Sequence, residues 1–183
     1  MPSLQISKRR VLRAFINMEP TESSEAILNK FYGNEWRELD SSNERLRLIA
    51  SFDREIDLVE LEQLCDAVGW CRRPQRRVRT ALENSLLVIG LWRHDQRFPR
   101  LIGFARCTGD GVLDATIWDL AIHPLYQRSG LGKGLMLVLL ERLRRMEVEK
   151  ITLFADAQAV RFYLSQGWDL EPQGNRCVFW YAR

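Results

Sequence analysis

Histidine and cysteine are scarce, with two and four residues in 183. Cys65, Cys71, Cys107 and Cys177 form no CxxC pair, and His94 and His123 are too few to complete a ligand set with them, so no metal is expected. The cysteine density is also far below that of small secreted disulfide scaffolds, which leaves free thiols in a reducing compartment as the simplest expectation. No apolar run is long enough to cross a bilayer, and no membrane partner is expected. Internal repeats and low-complexity segments are absent as well.

What is present has a globular balance, 46% hydrophobic and 28% charged residues, in a chain of the length of one domain. The net charge of +3 would suit an anionic ligand without requiring one. Lys8, Arg9, Arg10 and Arg13 precede the first acid, Glu19, and lack the apolar core of a secretory signal. A basic terminus of a cytoplasmic protein and a short transit-like leader to a plastid both fit that pattern.

Residues 1–44 read as an N-terminal extension, turn-rich at Glu19–Ser24 and partly helical around Ala26 to Phe31; residues 45–183 read as the folded domain. Leu46 to Phe52 is expected as a strand. Leu58, Leu61, Leu64, Cys65 and Val68 have the spacing of an amphipathic helix stopped by Gly69, and Pro74 opens a second helix to about Leu82. Its Arg76, Arg77 and Arg79, with Arg72 and Arg73 before it, suit a solvated face. A nucleic-acid surface would need interleaved aromatics and a recognised fold that are missing, so no nucleic-acid partner is expected. Strands follow at Leu86–Trp92, Leu101–Cys107 and Leu113–Ile122, joined by hairpin-type turns at His94–Gln96 and Thr108–Gly111. A helix from Gly130 to Met146, a strand at Ile151–Phe154, a helix at Gln158–Ser165 and a last strand at Val178–Tyr181 complete an α+β, or mixed α/β, pattern.

The chemistry concentrates after the third of the middle strands, in Gln127-Arg128-Ser129-Gly130-Leu131-Gly132-Lys133. A helix N-terminus offers unpaired N–H groups and a partial positive charge, and glycines at 130, 132 and 134 would let phosphate oxygens reach them, with Arg128 and Lys133 adding charge. The same glycines could instead serve a tight turn and close helix packing. Two phosphate motifs fail on spacing. A P-loop would need glycine at Gln127 and serine or threonine at Gly134, and a dinucleotide fingerprint would need glycine at Leu135.

The QxxGxG pattern from Gln127 to Gly132, after a strand and Pro124, resembles the GNAT superfamily of acetyltransferases. Phe154-Ala155-Asp156, Phe162-Tyr163 and Gly167-Trp168 are similar to the second half of that fold. With Leu64–Trp70, Ile151–Asp156 and Phe179–Tyr181, residues 55–183 resemble the plastid and cyanobacterial branch that includes serotonin N-acetyltransferase-like enzymes. The resemblance implies a mixed, mostly antiparallel central sheet flanked by helices, and acetyl transfer from acetyl-CoA to a primary amine. The pyrophosphate would lie on Gln127, Arg128, Ser129, Gly130, Leu131, Gly132 and Lys133, and the pantetheine arm along the backbone of Leu120, Ala121 and Ile122. It also implies an arylalkylamine acceptor such as serotonin or tryptamine. A protein lysine or N-terminus, and a non-catalytic CoA-binding module, are the alternatives; monomer and homodimer both stay open.

Acetyl transfer needs a neutral amine and a proton for the departing thiolate. The resemblance puts Tyr163 in the role of acid, although spacing alone also suits a core tyrosine. Asp119 is the candidate base, directly or through water, because a carboxylate between Trp118 and Leu120 needs a partner or a task; a structural hydrogen bond would satisfy it equally. His123, just before Pro124, reads as a turn residue. Asp156 stands where many relatives carry an asparagine that holds the pantetheine arm, and a carboxylate cannot donate that hydrogen bond.

Overall fold

The computed structural model describes residues 37–41, 44–93 and 98–174. They divide into two compact units, one ending at Leu153 and one beginning at Phe154. The expected helix near Ala26 to Phe31, the turn at His94–Gln96 and the last strand at Val178–Tyr181 lie outside the described residues.

The first unit is built on a six-stranded sheet in sequential order. Its strands are β1 (Arg37–Ser41), β2 (Glu44–Ser51), β3 (Leu87–Arg93), β4 (Arg100–Gly109), β5 (Asp114–Ile122) and β6 (Lys150–Leu153). Neighbours pair antiparallel except β5 and β6, which are parallel. A parallel pair needs a crossover, and the helix α3 (Leu131–Arg145) supplies it. β1 falls inside the stretch expected as an extension. Arg37-Glu38-Leu39-Asp40-Ser41 has no alternating apolar pattern, and its strand state comes from pairing with β2.

Before β3 come α1 (Leu58–Ala67) and α2 (Gln75–Glu83). Asp57 caps α1, accepting from the N–H groups of Val59 and Glu60, and Gly69 at φ 80° takes the chain out of it. Glu60 ties α1 to the start of β4 by accepting from the Leu101 N–H at 3.0 Å. Leu61, Leu64 and Leu82 of the two helices enter one buried cluster with Val88, Leu101, Phe104 and Ala121 of the sheet. Ile89, Ala105 and Cys107 alternate with those strand residues and are also buried, which defines a second apolar face. On that side α3 covers β4 and β5, burying Leu135, Met136, Leu139 and Leu143. Its Arg142, Arg144 and Arg145 gather in the last turn, where the helix dipole favours cations.

The second unit contains α4 (Val160–Leu164) and a 3-10 turn at Pro172–Gly174. The helix is shorter than the expected Gln158–Ser165. The Ala159 N–H bonds to the Asp156 carbonyl in a turn, and Ala159 has no polar side chain to cap the helix.

Candidate functional site

β5 alternates normally as far as Trp118 and then carries one extra residue. Arg106 pairs with Trp118 and Phe104 with Ala121, so two steps along β4 match three along β5. The irregularity includes Asp119, which takes φ 55°, an uncommon value for a residue other than glycine. Consequently Ile117 lies across from Cys107 on one face of the sheet and Ala121 from Phe104 on the other. The parallel pairing with β6 stops at Ile117↔Leu153. From Trp118 to Ile122 the β6 side of β5 has no strand partner among the described residues. The backbone from Leu120 to Ile122 therefore borders an open strand edge for an extended ligand, with Ala121 turned toward Phe104 of β4 and the Ile122 N–H toward the open side.

After β5 the chain turns through a 3-10 segment at Pro124–Tyr126. His123 caps it, its Nδ1 accepting from the Leu125 N–H at 3.3 Å, while burial and Arg100 hold its pKa below the usual value. This is the turn role expected for it. Tyr126 is buried, and its hydroxyl accepts from Arg93 of β3. The side-chain amide of Gln127 donates back to the Ile122 carbonyl at 2.9 Å, and the buried Ser129 hydroxyl donates to the Tyr126 carbonyl. Arg128 and Gly130 both have positive φ, 59° and 91°. Gly130, the residue before α3, has no side chain to cap the helix, and the first turn holds no acid. The α3 N-terminus is therefore left with donors, partial positive charge and the exposed Lys133 and Arg128 beside it. That donor set fits a pyrophosphate.

A cavity of about 440 Å³ lies beside the β5 bulge, between α1, α2 and strands β4 and β5. Leu58, Leu61, Trp70, Val78, Leu82 and Phe104 give it apolar walls, and Glu62, Asp119, Arg72, Arg73, Arg77 and Arg106 bring charge of both signs to its lining. Both Asp119 oxygens are engaged. Oδ2 accepts from Arg106 Nε at 2.6 Å, and Oδ1 from Arg73 Nη1 at 3.3 Å. Cys65 is a thiol of the cavity wall, and burial and then the carboxylate of Asp119 push its pKa up, which disfavours the thiolate. Burial pushes Cys107, inside the sheet, up to about 12.

In the second unit Tyr163 sits on α4 with its ring edge-on to Phe162 at 5.0 Å and to Trp168 at 6.1 Å. The Trp168 N–H also bonds to the Tyr163 carbonyl, and Gly167 at φ 85° makes the return possible. Burial first and the Asp156 charge second raise the phenol pKa above its ordinary value, so the hydroxyl keeps its proton.

The expected site residues thus occupy a continuous run from the bulge at Asp119 to Lys133, and Tyr163 stands in a separate unit. Trp118, Tyr126 and Phe154 are not among the residues that line the cavity. Trp118 Nε1 donates to Thr108 and Tyr126 is buried under the loop. The aromatic wall comes from Trp70 and Phe104. The pattern around Arg73 and Arg106 gave no signal of their shared carboxylate, because an ion pair between residues 46 positions apart has no local period.

The Acetyltransferase (GNAT) family matches residues 55–168. The chain is 52% identical, over 97% of its length and 98% of the relative, to a Prochlorococcus marinus protein called uncharacterized N-acetyltransferase ycf52-like. It is 39% identical to the soybean histone acetyltransferase TAP1, over 90% of this chain and 71% of that one. Identity to rice serotonin N-acetyltransferase 2, chloroplastic, is 36%, over 69% and 63%. Among solved structures, a GNAT family protein from Streptococcus pneumoniae shares the fold, with a TM-score of 0.61 and 25% identity over 74% of this chain and 98% of that one. The chain belongs to the GNAT family of acetyltransferases, enzymes that use acetyl-CoA as acetyl donor.

Proposed function

We propose that this enzyme moves the acetyl group of acetyl-CoA to the primary amine of a small arylalkylamine such as serotonin or tryptamine. The observation that carries this reading is the cavity, whose lining joins aromatic and aliphatic walls to the Asp119 carboxylate of β5. Its size is within the range of small-molecule sites, about 300–1000 Å³; its Trp70 and Phe104 walls suit a flat apolar body, and Asp119 suits a cationic end despite the arginines that share the lining. The rice relative's name supports the same acceptor class.

Bound acetyl-CoA supplies an activated thioester acyl group. The chain's own residues hold and orient it. The N–H groups at Gly130, Leu131, Gly132 and Lys133, with Arg128 and the turn made by Ser129, take the pyrophosphate; Gln127 fixes the loop to the end of β5. The open edge of β5 along Leu120, Ala121 and Ile122 pairs with the pantetheine arm and polarises the acetyl carbonyl, through the backbone groups not turned toward β4. Asp119 receives the ammonium of the acceptor and takes a proton from it, directly or through water. Tyr163 returns a proton to the departing sulfur. Starting from the ammonium, the nitrogen loses two protons, one before attack through Asp119 and one as the C–N bond forms and the C–S bond breaks; the sulfur gains one and the other passes to water.

A protein lysine or N-terminus is the second acceptor class, favoured by the name of the soybean relative. The reading places the enzyme in the cytoplasm or in a plastid; the rice relative is named chloroplastic, and among the described residues no helix is long and apolar enough to cross a membrane.

The test is free-thiol release from acetyl-CoA over a panel of arylalkylamines, polyamines and lysine peptides, with products identified by mass. Highest kcat/KM on tryptamine or serotonin is expected. Highest kcat/KM on peptides would hand the site to the second class.

A further inference from the structure

The two arginines on Asp119 are not equivalent. Arg106 reaches it from β4 at 2.6 Å with a side chain 18% exposed, whereas Arg73 reaches it from the α1–α2 connection at 3.3 Å with a side chain 60% exposed. Arg106 has little access to water and no easy alternative. Arg73 can turn into solvent at small cost, because exposed ion pairs are weak and a guanidinium is well served by water. Arg73 and Asp119 both line the apolar cavity, so the Asp119 Oδ1 position that Arg73 occupies is the position a cation held in that cavity would claim.

We infer that Arg73 is a resident competitor of the acceptor: its guanidinium occupies the Asp119 oxygen that the substrate ammonium takes over on binding, and Arg73 thereby sets how strongly cationic amines are held. This rests on the amine-acceptor reading of the cavity. Exchange of one cation for another keeps Asp119 Oδ1 paired, and the incoming amine gains the apolar walls of the cavity. The retained Arg106 contact keeps the carboxylate in place throughout. Arg73 is thus a specificity-determining residue, selecting acceptors whose apolar body is large enough to win the exchange.

The experiment is steady-state kinetics with saturating acetyl-CoA and tryptamine as acceptor, on the full chain, for the parent, Arg73→Gln, Asp119→Asn and the double variant. Arg73→Gln is expected to lower the tryptamine KM about two- to five-fold with kcat within about two-fold, the range an exposed ion pair allows. Asp119→Asn should lower kcat as well as raise the KM, and on the residual turnover of that background Arg73→Gln should no longer lower the KM. Tryptophol, which has the indole but no amine, should inhibit the parent and Arg73→Gln equally. An unchanged or raised KM in Arg73→Gln, or the same lowering when Asp119→Asn is already present, overturns the exchange while leaving the acceptor reading intact. Absence of turnover by the parent on every arylalkylamine overturns both. A thermal melt of each variant separates loss of fold from loss of recognition.

Discussion

The side-chain amide of Gln127 donates to the Ile122 carbonyl at 2.9 Å, linking the free end of β5 to the loop that opens α3. One contact therefore sets the distance between the strand edge and the helix N-terminus, the two surfaces assigned to the pantetheine arm and the pyrophosphate. Gln127→Ala should weaken acetyl-CoA binding about five- to ten-fold, with a stability loss of about 1 kcal/mol for the missing hydrogen bond. Gln127→Glu, unable to donate when ionised, should behave like the alanine. Fluorescence titration and thermal melts read both; parent-like affinity in both variants would remove Gln127 from the site.

Gly130 at φ 91° is in a conformation that costs other residues about 1–2 kcal/mol. Gly130→Ala is expected to lose stability on that scale. A Cβ placed where phosphate oxygens approach the backbone should also weaken acetyl-CoA more than it weakens acceptor binding. Equal acetyl-CoA affinity in parent and variant would leave the glycine with only its turn.

Tyr163 and Asp156 are coupled. Tyr163→Phe should lower kcat about 100-fold or more while acetyl-CoA still binds, the range for loss of a positioned proton donor. The Asp156 carboxylate raises the phenol pKa because a second nearby negative charge is unfavourable. Asp156→Asn removes that repulsion, so the Tyr163 phenol should ionise at lower pH than in the parent, and still above its ordinary value because burial remains. Ultraviolet titration against Tyr163→Phe as blank reads the shift. The same variant restores an amide donor and should tighten CoA binding; no gain would show that Asp156 does not touch the cofactor.

The cap of α1 carries a stability prediction. Asp57 accepts from Val59 N–H at 2.8 Å and Glu60 N–H at 3.3 Å, so Asp57→Ala should cost about 1 kcal/mol in denaturant unfolding. Because α1 forms one wall of the cavity, acceptor KM should rise while acetyl-CoA affinity holds.

Much of this was legible in the sequence where the signal is local. The apolar period of α1, the stop at Gly69, the start at Pro74 and the strand-loop-helix around Gly130 all depend on neighbours within a turn or two. β1 was not legible, because its strand state comes from β2 and not from its own residues. The bulge at Asp119 was hidden as well. It appears only as a mismatch between the two strands, and the sequence of β5 alone shows an uninterrupted run. The same holds for the arginines. Arg73 looked like part of a solvated face until the fold brought β5 beneath the α1–α2 connection.

The binding of acetyl-CoA compared with that of acetyl-pantetheine, which lacks the pyrophosphate and nucleotide, tests the central assignment of the Gln127–Lys133 loop most directly. Calorimetric titration of the parent should find acetyl-pantetheine at least about 100-fold weaker, the value of two charge-assisted hydrogen bonds to phosphate, and Gly130→Val should bring the two ligands close together. Equal affinities in the parent, or a difference that survives in Gly130→Val undiminished, would contradict the assignment.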